Sequence, residues 1–287
     1  MFDGFSTFDH LCNGVNIHGV VGGGGPPLLL LHGYPQTHAM WHKTAPDLAQ
    51  HFTIIAADLR GYGASDKPVS APDHATYSKR EMARDMVELM EHLGHTQFRV
   101  LAHDRGGRVA HRMAMDHAAR VQEMMILDIA PTREMYANTT DGFARDYWHW
   151  FYLIQDAPLP ERMIGADPDA YWLAKCPDDV FADEALAAYL AAFRDPACIA
   201  ASCEDYRAAA TIDIRHDDED GDAKVECPMH VLWGEKGVIE ARFDCLALWR
   251  QRAKIVSGRS LECGHYMAEE LPDEIVAEAL DFFGRPA

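Results

Sequence analysis

No basic face is encoded in the 287 residues: 26 Lys and Arg stand against 45 Asp and Glu, a formal charge of −19. That balance argues against binding nucleic acid through a cationic surface, which needs a Lys/Arg excess. A small anionic ligand is not excluded, but local cations would have to overcome a repulsive field. Long apolar runs are missing too. The longest, Leu28 to Leu31 with its flanks, is far too short to cross a bilayer. Met1 to His10 carries two acids and no apolar core, so no signal peptide is read there. The seven cysteines are odd in number and include no Cys-x-x-Cys pair. Neither a disulfide framework nor a zinc site is expected; scattered reduced thiols point to the cytoplasm. The hydrophobic fraction of 48% and charged fraction of 25% are ordinary globular values, which exclude disorder.

What is present is an alternation of strand and helix signals. Leu28–Leu31, Phe52–Ala57, Phe98–Ala102 and Met124–Ile129 read as buried strands. Met82, Met86, Leu89, Met90 and Leu93 are spaced as one helix face, which Gly94 closes, and Arg105 to His117 reads as the next helix. Strands separated by helices predict an α/β fold, a mostly parallel central sheet flanked by helices. After Pro131 the pattern changes to aromatic and Ala-rich helical segments, and a strand signal returns only at Met229–Trp233. The reading is a core over 1–131 and 215–287, with a helical cap over 132–214 inserted after the sixth strand. The acidic stretch His216–Asp222 fails the calcium-loop register, because its first ligand is not acidic and its twelfth residue is Cys227; a solvated linker is expected.

The chemistry centres on His103-Asp104-Arg105-Gly106-Gly107-Arg108, between a strand and a helix. A side chain on such a tight turn is pushed into the open, and the helix N-terminus favours negative charge there. In hydrolases of this pattern the turn reads Gly-x-Ser-x-Gly; here Asp104 holds the nucleophile position. A carboxylate is a poor nucleophile toward an amide or ester, but a competent one toward an sp3 carbon bearing a leaving group or a strained ring. Taken alone, Asp104 could equally be an N-cap. His265, between the last strand region and the last helix, is where this architecture places its general base. Asp128, at a strand end, is the acid expected to orient it, with Glu235 and Glu240 as competitors. The loop His32-Gly33-Tyr34-Pro35 supplies one oxyanion amide, at Tyr34, and Arg105 supplies the other.

Together these segments, with Asp58-x-Arg60-Gly61-Tyr62-Gly63-x-Ser65, resemble the α/β-hydrolase dehalogenases and epoxide hydrolases. Asp104-Arg105-Gly106-Gly107-Arg108 with His149-Trp150 resembles more closely the fluoroacetate (haloacetate) dehalogenases, and the resemblance runs over essentially the whole chain. It implies an α/β-hydrolase fold, a homodimer, and a halide pocket made by His149, Trp150 and Tyr206. Each of those three side chains can donate one hydrogen bond, although aromatics at such positions could as well be cap core. Tyr34 departs from the Phe of many relatives. Arg105 and Arg108 lie three apart on one helix face, where a guanidinium fork matches a substrate carboxylate.

The expectation is a hydrolytic dehalogenase that converts fluoroacetate or another short 2-haloacid to the 2-hydroxyacid through an Asp104 ester. It uses no metal or organic cofactor and binds neither nucleic acid nor membrane. An epoxide hydrolase with the same Asp–His–Asp set is the alternative, and would need two cap tyrosines. A binding protein on a hydrolase fold is the third reading.

Overall fold

The computed structural model describes residues 1–176 and 179–284. One eight-stranded sheet runs through it, in the order β1-β2-β4-β3-β5-β6-β7-β8. The strands are β1 Ser6–Cys12, β2 Val15–Gly23, β3 Pro27–Leu31, β4 Thr53–Ala57, β5 Phe98–His103, β6 Val121–Leu127, β7 Met229–Gly234 and β8 Val256–Leu261. β2 is antiparallel to both β1 and β4, and all other pairs are parallel.

The central strands have helices on both faces, so they read as unbroken apolar runs. Leu28, Leu29, Leu30 and Leu31 of β3 are all fully buried. The edges differ. β1 and β8 alternate between buried or half-buried and exposed positions, and neither carries the continuous apolar signal by which β3 to β7 were read. These strands and β2 are additions to the sequence reading.

The helix Lys79–His92 is capped by Ser78, whose hydroxyl accepts the Glu81 amide at 3.3 Å. Its buried face includes Met82, Met86, Leu89 and Met90, the residues that predicted it. The helix Asp104–Asp116 follows β5 directly. Two glycines permit its close seat. A Cβ on Gly106 would stand 2.5 Å from the His32 carbonyl oxygen, and one on Gly33 would stand 2.5 Å from Asp104 Cβ.

Between β6 and β7 the described residues contain only helices and loops, from Thr132–Ala137 through Pro196–Ala210 to Ile212–Glu219. The last of these helices runs across 214/215, so the expected linker at 216–222 is in its first half helical. The cause is tertiary: Arg112 donates to Asp217 at 2.6 Å and to Asp220 at 2.7 Å, drawing the acidic stretch onto the core. No helix among the described residues is long and apolar enough to cross a membrane.

The ends of β3, β5, β6 and β7 point to one side, and the cap helices contribute side chains to the cavity there. In open α/β sheets the carboxyl ends of the strands are where ligands bind.

Candidate active site

Asp104 leaves β5 with φ of +43°, in the left-handed region that a residue with a Cβ seldom adopts. Such conformations cost about 1–3 kcal/mol and persist only where the surroundings enforce them. Here the enforcement is the glycine-lined approach of His32–Gly33. The loop is itself held by His32, whose ring accepts the Leu59 amide at 3.1 Å and contacts the Gly33 carbonyl at 2.9 Å. The result is a donor aimed at the carboxylate: the Tyr34 amide reaches Asp104 Oδ1 at 3.0 Å. Arg105 is the second residue of its helix, among the first four whose amides have no intrahelical acceptor.

Burial opposes ionisation of Asp104, but the charges of His265, Arg108 and Arg105 outweigh it and lower its pKa. The carboxylate is therefore the resting form.

His265 contacts Asp128 through Nδ1, at 2.6 Å from Oδ2. The other oxygen of Asp128 accepts the Gly234 amide at 3.0 Å. Asp128 is fully buried and also has a positive φ, +50°. With Nδ1–H donated to Asp128, His265 keeps Nε2 as its basic nitrogen. Burial alone would lower the pKa of His265; the hydrogen bond and charge of Asp128, followed by the charge of Asp104, raise it. The competing acids are occupied elsewhere: Glu235 accepts Ser260 Oγ at 3.0 Å, and Glu240 accepts the Trp233 indole.

Tyr34, Asp104, His149, Tyr206 and His265 line one cavity of about 390 Å3, together with Tyr147, Lys175 and Tyr266. Arg105, Arg108 and Trp150 are buried behind that wall. The guanidinium of Arg105 lies 4.2 Å from the centroid of the Tyr206 ring, and that of Arg108 lies 4.7 Å from Trp150. The structure thus gathers the sequence candidates into one region, with one change to the expected carboxylate clamp. Arg105 gives the Nε–Nη2 edge of its guanidinium to Asp205, at 2.9 and 2.6 Å, leaving only Nη1 without a partner. Arg108 spends Nη1 on the Ala130 carbonyl and the Thr132 hydroxyl. Its Nε is unpartnered, and its Nη2 meets only the sulfur of Met135 at 3.5 Å. A fork edge therefore remains on Arg108, and a single donor on Arg105.

The indole N–H of Trp150 is buried with no partner. His149 stacks on Tyr34 with centroids 6.2 Å apart. Burial, with the charge of Lys175 next, holds its pKa well below the ordinary value, so it is a neutral imidazole with one N–H to donate. The Tyr34 hydroxyl donates to that of Tyr171 at 3.3 Å.

Two contributors were not legible as such. Asp205 sits beside Tyr206, but nothing in an Ala-rich helix marks it as the partner of a residue 100 positions earlier. His103 was noted only as preceding Asp104. Its ring packs 4.5 Å from that of His265 and its Nε2 lies 2.8 Å from the His265 carbonyl oxygen, while burial lowers its pKa to about 3. A neutral His103 thereby donates to, and holds, the backbone of His265. Among the described residues no cluster of His, Cys, Asp or Glu is arranged to hold a metal ion.

Residues 26–195 match the model of the α/β hydrolase fold family. The chain is 46% identical over 281 residues to a fluoroacetate dehalogenase of a Burkholderia species, covering 96% of this chain and 92% of that one. It is 33% identical over 288 residues to a soluble epoxide hydrolase of Corynebacterium sp. (strain C12), covering 95% of each. A solved α/β hydrolase structure from Nostoc sp PCC 7120 superposes with a TM-score of 0.98 at 52% identity, over the full length of both chains.

Proposed function

The chain belongs to the α/β-hydrolase family, in the branch that includes fluoroacetate dehalogenase, and from that premise we propose that it hydrolyses the carbon–halogen bond of fluoroacetate or another short 2-haloacid. The observation that carries the reading is the set of unpartnered donors around an ionised Asp104: Arg108 Nε, Arg105 Nη1 and Trp150 Nε1. Buried donors normally have acceptors. A haloacid supplies them at both ends, a carboxylate for the arginines and a halogen for the indole.

The Tyr34 amide already holds Oδ1 of Asp104, so Oδ2 is the attacking atom. It forms a bond to C2 of the acid as the carbon–halogen bond breaks and the halide leaves with the electron pair. Trp150, Tyr206 and neutral His149 stabilise the departing halide by hydrogen bonds, which matters most for fluoride. The product of this step is an alkyl ester on Asp104. Nε2 of His265 then takes a proton from water, and the hydroxide adds to the ester carbonyl. The oxyanion rests on the amides of Tyr34 and Arg105. Collapse releases the 2-hydroxyacid, whose alkoxide recovers the proton from His265; the regenerated Asp104 carboxyl then gives up its own proton to solvent by way of the neutral His265, and Asp104 is again a carboxylate. These residues complete the sequence without a metal or organic cofactor. The enzyme works as a cytoplasmic homodimer on this reading, as its resemblance to the haloacetate dehalogenases and its scattered thiols imply.

Epoxide opening is the second reading, favoured by Tyr147 and Tyr206 on the wall of the same cavity, where two phenols could protonate a ring oxygen. Halide release from fluoroacetate, chloroacetate and bromoacetate, beside diol formation from styrene oxide, decides between them. Fluoride release is expected. Chloride or bromide alone would keep the mechanism and remove the fluoride specialisation. Diol without halide would replace the proposal with the epoxide reading.

A further inference from the structure

The cavity has a cation with no ion-pair partner among the described residues. Lys175 lines the wall just beyond the helix Pro168–Leu173. Its ammonium lies 5.5 Å from the centroid of the Tyr34 ring and 5.8 Å from that of Trp148. Among the described residues it makes no ion pair. The other charged groups of the outer wall are matched: Lys236 stands 3.7 Å from Glu262, and Asp146 accepts from Arg242 at 2.7 Å. Burial pulls the pKa of Lys175 down to about 8, outweighing the opposing influence of Cys176 and of the Asp104 carboxylate. Its charge is felt inward as well, since it disfavours protonation of both His149 and His265.

We propose that Lys175 forms an outer anion subsite, where its ammonium takes the carboxylate of an incoming short acid before the acid is passed inward to the free donors of Arg108 and Arg105 behind the inner wall. The inference rests on the haloacid reading and adds to it a route for the substrate. Two features support it. A protein of charge −19 repels anions at long range, and a cation in a low-dielectric cleft focuses the field that reverses this locally. A cation resting on ring faces can also turn toward an anion without breaking an ion pair; its hold on the rings is worth about 0.5–2 kcal/mol.

The test uses the full-length enzyme with Lys175→Met, which keeps length and removes charge, and Lys175→Arg, which keeps charge. Steady-state kinetics on chloroacetate are followed from low to high ionic strength. Calorimetric titration with acetate measures binding without turnover. At low salt Lys175→Met is expected to lower kcat/KM about tenfold while kcat stays within roughly twofold, a size typical of electrostatic capture. It should also flatten the salt dependence and weaken acetate binding, and Lys175→Arg should restore all three. An active wild type with unchanged kcat/KM in Lys175→Met would overturn the subsite, as would a loss confined to kcat. A wild type that releases no halide, yet binds acetate through Lys175, would leave the subsite standing and remove the haloacid reading.

Discussion

Arg105 and Asp205 form a fully buried pair in which one edge of the guanidinium grips both carboxylate oxygens, at 2.9 and 2.6 Å. The next residue, Tyr206, lies against the same guanidinium. One turn of a cap helix thus fixes the rotation of a cation beside the candidate nucleophile and also places a candidate halide donor. Asp205 further accepts from Lys79 and from the Tyr62 hydroxyl. Its carboxyl is held far below the ordinary range because these cations outweigh the effect of burial.

Asp205→Asn should therefore cost stability and substrate binding together. Removing one charge from a buried pair costs about 3–5 kcal/mol, because the partner is left uncompensated. Thermal unfolding should move down by many degrees. In the fraction that stays folded, KM for a haloacid should rise more than kcat falls, since Arg105 loses its fixed rotation. Unchanged KM would separate Arg105 from substrate binding.

His265→Ala should stop the reaction at the ester. Attack by Asp104 needs no base, whereas hydrolysis does. After incubation with chloroacetate, the peptide carrying Asp104 should gain the mass of the acid less hydrogen chloride, as read by mass spectrometry. A peptide of unaltered mass would argue against a covalent intermediate.

The pH dependence follows from two opposite shifts. Asp104 is lowered and works when deprotonated, so it is competent throughout the neutral range. His265 is raised above 6.5 and works as a base only when neutral, so turnover should fall as pH drops through a value above that of a free imidazole. In the ester Asp104 carries no charge, and its share of the shift vanishes. The acid limb of kcat should consequently lie below the His265 midpoint measured by NMR in the resting enzyme. Asp128→Asn should lower that midpoint further. Coincidence of the two midpoints would show that Asp104 does not influence His265.

Trp150→Phe and Tyr206→Phe each remove one donor and keep an aromatic ring. Loss of a donor at a developing anion costs about 10²–10³-fold in rate. That loss should appear in full with fluoroacetate and much less with bromoacetate, whose leaving group needs little help. Equal losses on both substrates would assign the two side chains to packing.

Some of this was written locally. Asp104, Asp128 and the Tyr34 amide each follow directly from the end of an apolar run, so their common side of the sheet could be read from strand–turn–helix order alone. Parallel strands bring their carboxyl ends together whatever lies between them. The same logic found β3 to β7, because strands covered on both faces must be continuously apolar, and passed over the edge strands β1 and β8, where polar and apolar residues alternate, and β2, whose apolar residues are interrupted by Asn16, His18 and glycines.

The carboxylate clamp was not local. Arg105 and Arg108 stand on one helix in equivalent surroundings by sequence, yet one guanidinium edge is consumed by an acid 100 residues away and the other is left with a thioether. Which N–H groups remain for a ligand depends on how the cap helix Pro196–Ala210 settles on the core, and so does the position of Tyr206. The same holds for the acidic stretch at 216–222, which Arg112 turns from an expected linker into a helix end, and for Lys175. Charge pairing among buried groups is set by three-dimensional proximity and desolvation, neither of which has a sequence period. The sequence by itself determined the fold and the strand ends that carry Asp104 and Asp128; tertiary packing alone decided which acid meets His265 and which buried donors stay free.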